Sequence, residues 1–257
     1  MGTRLEINGS AADAALARLL PAAGYGHFTA MQVRKRRVRG LELHLRRLSD
    51  ATEELFGAGL DEALVRGHLR HALRDEPDAS ARIHVFQPNG DGRPSIVVTV
   101  RPPDEMPTAA QRLQVVGYQR PAAHLKHTGT FGQHYYGERA ERDGYDDALL
   151  TGPDGLICES TIANIAFFDG NVVVWPQAPM LRGVTMQLLE PRLVEAGLDP
   201  RRVPVRLADL GAFRSAFVLN SIGIAPVGGI NGVRLAVDPR LMATVTEAYV
   251  SVPWDPI

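Results

Sequence analysis

"DDALLTGPDGLICESTIANIAFFDGNVVVWP", residues 146–176, reads as two hairpins in succession. Residues 146–159 and 164–176 each set two apolar runs around a glycine-containing turn, and Asp169 with Gly170 is a strong hairpin former. Between the hairpins lies the small and polar "ESTIAN", residues 159–164. Glu159 ends the apolar strand "GLICE", which aims its carboxylate into a cleft. A carboxylate withdrawn from water needs a cation or hydrogen-bond donors beside it. Cys158, one position earlier, falls on the opposite strand face as a small buried hydrophobe.

Working outward, residues 26–39 read as a hairpin, and "GLELHLRRLSDATEELFG" from Gly40 as an amphipathic helix with Leu41, Leu45, Leu48, Thr52 and Leu55 on one stripe. A second helix is expected over 61–74. "RIHVFQ" and "PSIVVTVR" read as strands joined by the turn-rich "PNGDGR", and "RLQVVGY" as a further strand. The Pro- and Ala-containing residues 119–125 are the expected connector between an N-terminal domain, 1–118, and a C-terminal domain, 126–257. Beyond the two hairpins, "RGVTMQLLEPRLVEAGL" reads as a helix stopped by Gly197, "SAFVLN" as a strand entering the turn "SIGIAPV", and "DPRLMATVTEAYV" as a closing helix. The class is α+β, mixed α/β with two lobes, without the regular alternation of a doubly wound sheet.

The totals narrow the function. No apolar run approaches a membrane span and "MGTRLEINGS" carries no signal-like segment, so no membrane partner and a cytoplasmic address are expected. A single cysteine excludes an internal disulfide and any multi-cysteine metal site. A formal net charge of -1 gives no reason to expect nucleic acid. The basic run Arg34, Lys35, Arg36, Arg37 sits between two strand-like segments, where a solvated turn is the simpler reading. "GYGHFT" has too few glycines for a dinucleotide loop, and the histidines form no metal-ligand pattern.

Of the 28 basic residues, 26 are arginine and two are lysine, Lys35 and Lys126. A guanidinium stays protonated and is a poor nucleophile, whereas a lysine amine can lose its proton when desolvated and attack a carbonyl. Lys35 lies in the basic turn. Lys126 lies in "PAAHLKHTGTFGQHYY", close to the expected junction of the lobes, and is the candidate nucleophile.

Lys126 followed by "ESTIANIAFFDGN" resembles the fold-type IV pyridoxal phosphate enzymes, or class IV aminotransferases, a family that includes branched-chain and D-amino-acid aminotransferases and aminodeoxychorismate lyase. Their Schiff-base lysine precedes an "EGTxxN"-like segment, matched here at Glu159, Thr161 and Asn164. The resemblance implies a smaller N-terminal α/β domain and a larger C-terminal pseudo-barrel domain. It also implies a cofactor, pyridoxal 5'-phosphate, carried by Lys126, with Glu159 on the pyridine nitrogen. The family's "EHxxRL"-like helix is matched by "ELHLRRL"; helical geometry places Arg47 beside the leucine stripe and Arg46 toward solvent, so Arg47 is the expected phosphate contact. Gly183, Val184 and Thr185, opening a helix, match the family's "G-I/V-T" phosphate segment. Asn220 and Ser221 match its small polar turn. Asn164 completes the expected cofactor-binding set.

Departures from the pattern bear on substrate. Ser160 replaces a glycine, Phe131 stands where branched-chain members have a tyrosine, and Gln87 stands near the place of the D-amino-acid enzymes' arginine. "HFTAMQV" and Asn220 lean toward the lyase branch, with Thr29 as a candidate hydroxyl for proton delivery; Phe28 and Gln87 are the other candidates for the substrate pocket. The expected activity is amino-group exchange between an amino acid or amine and a 2-oxo acid. The alternatives are an aminodeoxychorismate lyase releasing pyruvate and a non-catalytic binding protein of the same fold. The resemblance further implies a homodimer.

Overall fold

In a computed structural model of the chain, residues 2–11, 24–87 and 93–257 are described. The turn expected at 88–93 lies, but for Arg93, outside them. The chain packs as two compact units, the smaller made of residues up to 104 with Leu125–Thr130 and Pro253–Ile257, the larger of Glu105–His124 and Phe131–Val252.

Among the described residues the smaller unit holds a seven-stranded sheet built from β1 (Arg4–Ile7), β2 (Ser10–Ala11), β3 (Gly26–Arg34), β4 (Arg37–Arg39), β5 (Ala79–Phe86), β6 (Ser95–Arg101) and β16 (Trp254–Pro256), in the order β16-β4-β3-β5-β6-β1-β2. Helices α1 (Leu41–Phe56) and α2 (Glu62–Leu73) cover one face. Met31, Val33, Ile83 and Val85 point to the same core as Leu41, Leu45 and Leu48 of α1 and Val65 and Leu69 of α2. The sequence dictates both helix ends. Gly57 closes α1 in the left-handed conformation at φ 60, where a Cβ would be strained, and Asp61 caps α2 by accepting the N–H groups of Ala63 and Leu64. At the other end of α1, Asp255 of β16 accepts the N–H of Leu41 at 3.0 Å. The expected hairpin at 26–39 forms with Lys35 and Arg36 at its tip, both exposed and both left-handed at φ 51 and 58.

The larger unit holds a curled sheet of nine strands among the described residues: β7 (Gln111–Gly117), β8 (Asp147–Thr151), β9 (Ile157–Ser160), β10 (Asn164–Phe168), β11 (Val172–Pro176), β12 (Asp199–Val203), β13 (Ser215–Leu219), β14 (Ile224–Ile230) and β15 (Val233–Arg234). The two expected hairpins are β8–β9 and β10–β11, both antiparallel. Alternation along β10 serves two cores: Ile165 and Phe167 pack with Leu113, Val218 and Val227, while Ala166 and Phe168 pack beneath α4 (Val184–Glu195) and α5 (Pro239–Val250). Gly197, at φ 80, follows α4 as expected. Helix α3 (Phe131–Arg142) flanks β8. The fold is thus mixed α/β with two units, as the sequence implies. No helix among the described residues is long and apolar enough to cross a membrane.

Two expectations differ from what is found. The units divide at 104/105, not at 118, and the expected connector does not separate them. Residues before 119 include β7, which pairs in parallel with both β8 and β14 inside the larger sheet. Leu125–Thr130 return to the smaller unit, where Phe28 N–H donates to the Lys126 carbonyl (2.9 Å) and Thr128 N–H to that of Gly26 (2.8 Å). Second, "SIGIAPV" is not all turn, because β14 begins at Ile224. Pro226 is tolerated in the strand because pairing with β7 starts only at Val227, next to a register shift.

Gly26 lies opposite Phe86, whose ring occupies the space a Cβ would need, 2.5 Å away. The Gly26→Ala variant is therefore expected to lose about 1–3 kcal/mol of stability through overpacking. A urea midpoint equal to that of wild type would contradict this.

Candidate active site

In the larger unit the site grows from Glu159. Its carboxylate is buried, with Oε1 accepting from the Arg120 guanidinium at 2.9 Å and Oε2 from the Leu181 N–H at 3.3 Å. Arg120 is itself only 5 % exposed, so the two charges leave water together. Each would be costly alone. Of the partners the sequence calls for at Glu159, a cation or hydrogen-bond donors, the fold supplies both, Arg120 and the Leu181 N–H. The identity of Arg120 was hidden because nothing in "VGYQRPAAH" separates it from the other arginines.

Asn164 extends the chain of contacts. Its Nδ2 donates to the Leu181 carbonyl (2.7 Å) and its Oδ1 accepts from the Gly183 N–H (3.1 Å). A Cβ on Gly183 would fall 2.1 Å from that Oδ1, so glycine is required for this approach. Gly183 is also the N-cap residue of α4, and no side chain caps the helix. The first N–H groups of a helix have no acceptor within it, and with the helix dipole they favour an anion. Thr185 Oγ1 donates to the Asn220 carbonyl at 2.7 Å, which joins the two segments expected to hold phosphate. The Asn220 side chain accepts the Ile222 N–H (2.8 Å), turning the backbone at Ser221, which is half-buried. Glu159, Asn164, Gly183, Val184, Thr185, Asn220 and Ser221 are therefore brought together.

The departures within the motif have local uses. The Ser160 hydroxyl accepts the Ala163 N–H at 3.0 Å, closing the turn that a glycine would otherwise make. Thr161 donates to Asp147 at 2.5 Å, and burial pushes that carboxyl up despite the hydrogen bond. Burial, then the Glu159 charge, raises the Cys158 thiol to about 11, so it stays protonated. Phe131 opens α3, is 82% exposed and stacks on Tyr135.

In the smaller unit, Lys126 Nζ lies 4.9 Å from the ring centroid of Phe28. Phe28 and Thr29 are consecutive in β3 and point to opposite faces. Thr29 is buried on the helix-covered side, where its Oγ1 lies 2.6 Å from His44 Nδ1. It does not share the face that carries Phe28. Burial, then the charges of Arg47 and Lys126, lower His44 to about 3, so the imidazole is neutral. Arg47 is half-buried on the flank of α1, while Arg46 is exposed and paired with Glu42 at 3.6 Å, the division that helical geometry anticipates. Gln87 follows β5 and is half-buried. His27, on the same side as Thr29, has a defined tautomer. Thr52 gives its proton to the Leu48 carbonyl (2.7 Å) and so accepts from His27 Nε2–H (3.0 Å). Burial, then His84, lowers His27 to about 4.

A family model described as amino-transferase class IV matches residues 26–230. A probable branched-chain-amino-acid aminotransferase of Rickettsia bellii is 37% identical over 75 residues, which span 29% of this chain and 26% of that relative. Among solved structures, a branched-chain aminotransferase from Thermoproteus uzoniensis, solved with norvaline, superposes with TM-score 0.85 at 20% identity over 97% of this chain and 94% of that one. A hypothetical aminotransferase from Mycobacterium tuberculosis in its PLP-bound form gives 0.77 at 21% identity over 89% of each chain. A fold IV transaminase from Curtobacterium pusillum gives 0.79 at 23% over 89% and 87%. These likenesses establish the fold.

The family's cofactor is pyridoxal 5'-phosphate. The groups described suit its chemistry: an amine for the aldehyde, a carboxylate for the protonated ring nitrogen, and a helix N-terminus without a side-chain cap for the phosphate.

Two outcomes test the electrostatics. Arg120→Met leaves a buried carboxylate without its cation and is expected to cost about 3–5 kcal/mol in urea unfolding. The double variant with Glu159→Gln should recover most of that loss, whereas additive losses would show that the pair is not coupled. His27 and His44 stay neutral in the fold and take up protons when unfolded. Stability is therefore expected to fall as pH drops from about 6.5 toward 4, on the order of 3 kcal/mol per histidine at the limit. The His27→Gln variant, which keeps a donor for Thr52, should flatten the pH dependence of the midpoint; an unchanged slope would refute the assignment.

Proposed function

The chain belongs to the amino-transferase class IV family, and from that premise we propose that it is a pyridoxal 5'-phosphate-dependent aminotransferase exchanging an amino group between an amino acid or amine and a 2-oxo acid. The observation that carries this reading is the unbroken hydrogen-bond chain from Arg120 and Glu159 through Leu181 and Asn164 to Gly183, which sets a buried acid beside the N-terminus of α4.

When bound, the cofactor supplies a cationic conjugated ring that accepts the electron pair released at the substrate carbon. Glu159 holds the proton on the ring nitrogen, and Arg120 fixes the position and charge of that carboxylate. Val184 and Thr185, in the first turn of α4, would turn their N–H groups to the phosphate while the Gly183 N–H is held by Asn164, with Arg47 and the Asn220–Ser221 turn as further contacts. Asn164 fixes the backbone that presents Gly183. Lys126 is the residue that would hold the cofactor, through Nζ, and its amine, when free, would serve as the base that takes up and gives back the proton of the substrate carbon. An arginine could not do this, since its guanidinium does not release a proton. The functional unit we propose is a homodimer.

The protein given pyridoxal 5'-phosphate should gain a visible absorbance, and borohydride should then fix the cofactor on the peptide that contains Lys126. Lys126→Arg should prevent both and lower amino transfer by a factor on the order of 10³ or more. An amino donor alone should convert the bound group to pyridoxamine phosphate. Release of pyruvate from aminodeoxychorismate without an acceptor would replace this activity by the lyase. Absence of any chromophore would point to a non-catalytic binding protein.

A further inference from the structure

The hairpin tip of the smaller unit opposes the fold around it in two ways. Its turn residues, Lys35 and Arg36, both stand in the left-handed region, at φ 51 and 58, where asparagine or glycine would be held with less strain. Just below them, Arg34 of β3 is paired directly across the ladder with Arg37 of β4, and like charges in that position repel. Local choices that work against their own structure concentrate at functional sites.

Beside the tip lies a cavity of about 490 Å3, lined by Arg34, Lys35, Arg37, Asp78, Pro253 and Trp254. A volume of this order holds a small molecule and not a polymer or a membrane surface. Val33 and Val38 face the helix-covered core, so strand alternation turns Arg34, Arg37 and Arg39 to the opposite face of the sheet. There they meet β16, whose Trp254 is paired with Arg39 and has the Arg39 guanidinium carbon 4.2 Å from its ring centroid.

Neutral acceptors hold two of the lining cations in place. Arg34 donates to the Gln32 side chain (3.0 Å) and to the carbonyls of Val33 (2.9 Å) and Asp104 (3.1 Å), and Arg37 donates through Nε to the Trp254 carbonyl (2.8 Å). These bonds orient the guanidinium groups without cancelling their charge. Lys35 is anchored by its backbone, whose N–H donates to Asp78 (2.8 Å), and its ammonium forms no ion pair among the described residues. Against these three cations, Asp78 is the one carboxylate in the lining. The excess of positive charge favours an anion that carries more than one negative charge.

We propose that this cavity binds a small polyphosphate, a molecule with two or more linked phosphate groups, whose oxygens lie on Arg34, Lys35 and Arg37 with Trp254 as the side wall. Guanidinium forks and a lysine ammonium are the side chains that suit phosphate oxygens, and linked phosphates carry charge enough for three cations. Binding here does not depend on amino transfer.

The test is isothermal titration calorimetry at pH 7.5 and low salt of protein saturated with pyridoxal 5'-phosphate, using tripolyphosphate, adenosine triphosphate and citrate. Both polyphosphates should bind, and citrate should bind about 10-fold more weakly or not at all. Tighter binding of adenosine triphosphate than of tripolyphosphate would support the proposal with a nucleoside against Trp254, and equal affinity would support it with the phosphate chain alone. Arg37→Gln and Lys35→Asn should each weaken both polyphosphates about 10-fold. Lys35→Asn should at the same time raise the urea midpoint, because asparagine relieves the left-handed turn. Arg46→Gln, which removes an exposed arginine of α1 outside the cavity, controls for net charge and should leave binding as in wild type. The proposal is overturned if neither polyphosphate binds, if citrate binds as tightly, or if Arg46→Gln weakens binding as much as Arg37→Gln. It is equally overturned if Lys35→Asn binds as wild type does or lowers the midpoint.

Discussion

The larger unit is organised around one buried ion pair, Arg120 with Glu159 at 2.9 Å. Neither charge is tolerable there alone, and each oxygen of the carboxylate has a donor, so the acid is fixed in position. The fixing propagates. Leu181, which donates to Glu159, is gripped at its carbonyl by Asn164, and Asn164 in turn accepts from Gly183. Glu159 and Asn164 thus hold from one segment the short loop, Leu181 to Gly183, that leads into α4. With glycine as its N-cap, the helix forgoes a side-chain cap at a cost of only about a few tenths of a kcal/mol. Here the missing cap leaves its first N–H groups available to an anion.

The smaller unit solves a different problem. Two histidines lie in its interior, and burial, joined by neighbouring basic groups, disfavours their charged forms. Held neutral, His44 can pack between Thr29 and the leucines of α1 without demanding a counter-ion. Thr29 is thereby committed to the core, and whatever β3 presents on its other face comes from Phe28 and Ala30. The pleat of a strand decides this before any chemistry is considered, because adjacent residues cannot serve the same face.

Much of this was legible in the sequence. The two hairpins at 146–176, the leucine stripe of α1, its orientation of Arg46 against Arg47, and the stop of α4 at Gly197 are local patterns, and each is formed by residues within a few positions of one another. What sequence reading could not reach is non-local pairing. β7 belongs to the larger unit because of parallel partners at β8 and β14, and Leu125–Thr130 belong to the smaller one because of backbone bonds to Gly26 and Phe28. No composition marks either fact, so a Pro- and Ala-containing stretch resembled a boundary. Arg120 was missed for the same reason, as its partner lies 39 positions away.

The rarity of lysine in an arginine-rich chain selects two positions, and rarity alone cannot choose between them. Their surroundings can. Lys35 sits at an exposed hairpin tip in a left-handed conformation, and what the fold uses is its backbone N–H, which donates to Asp78 at 2.8 Å. Any residue able to adopt that turn would serve, and glycine or asparagine would do so with less strain. At Lys126 the main chain is pinned to β3 and the amine is laid over an aromatic ring at 4.9 Å. A cation over a ring could as well be arginine, which stacks there at least as favourably. The property that lysine adds at such a place is a nitrogen able to lose its proton, which the guanidinium that supplies almost every other cation of this chain does not offer.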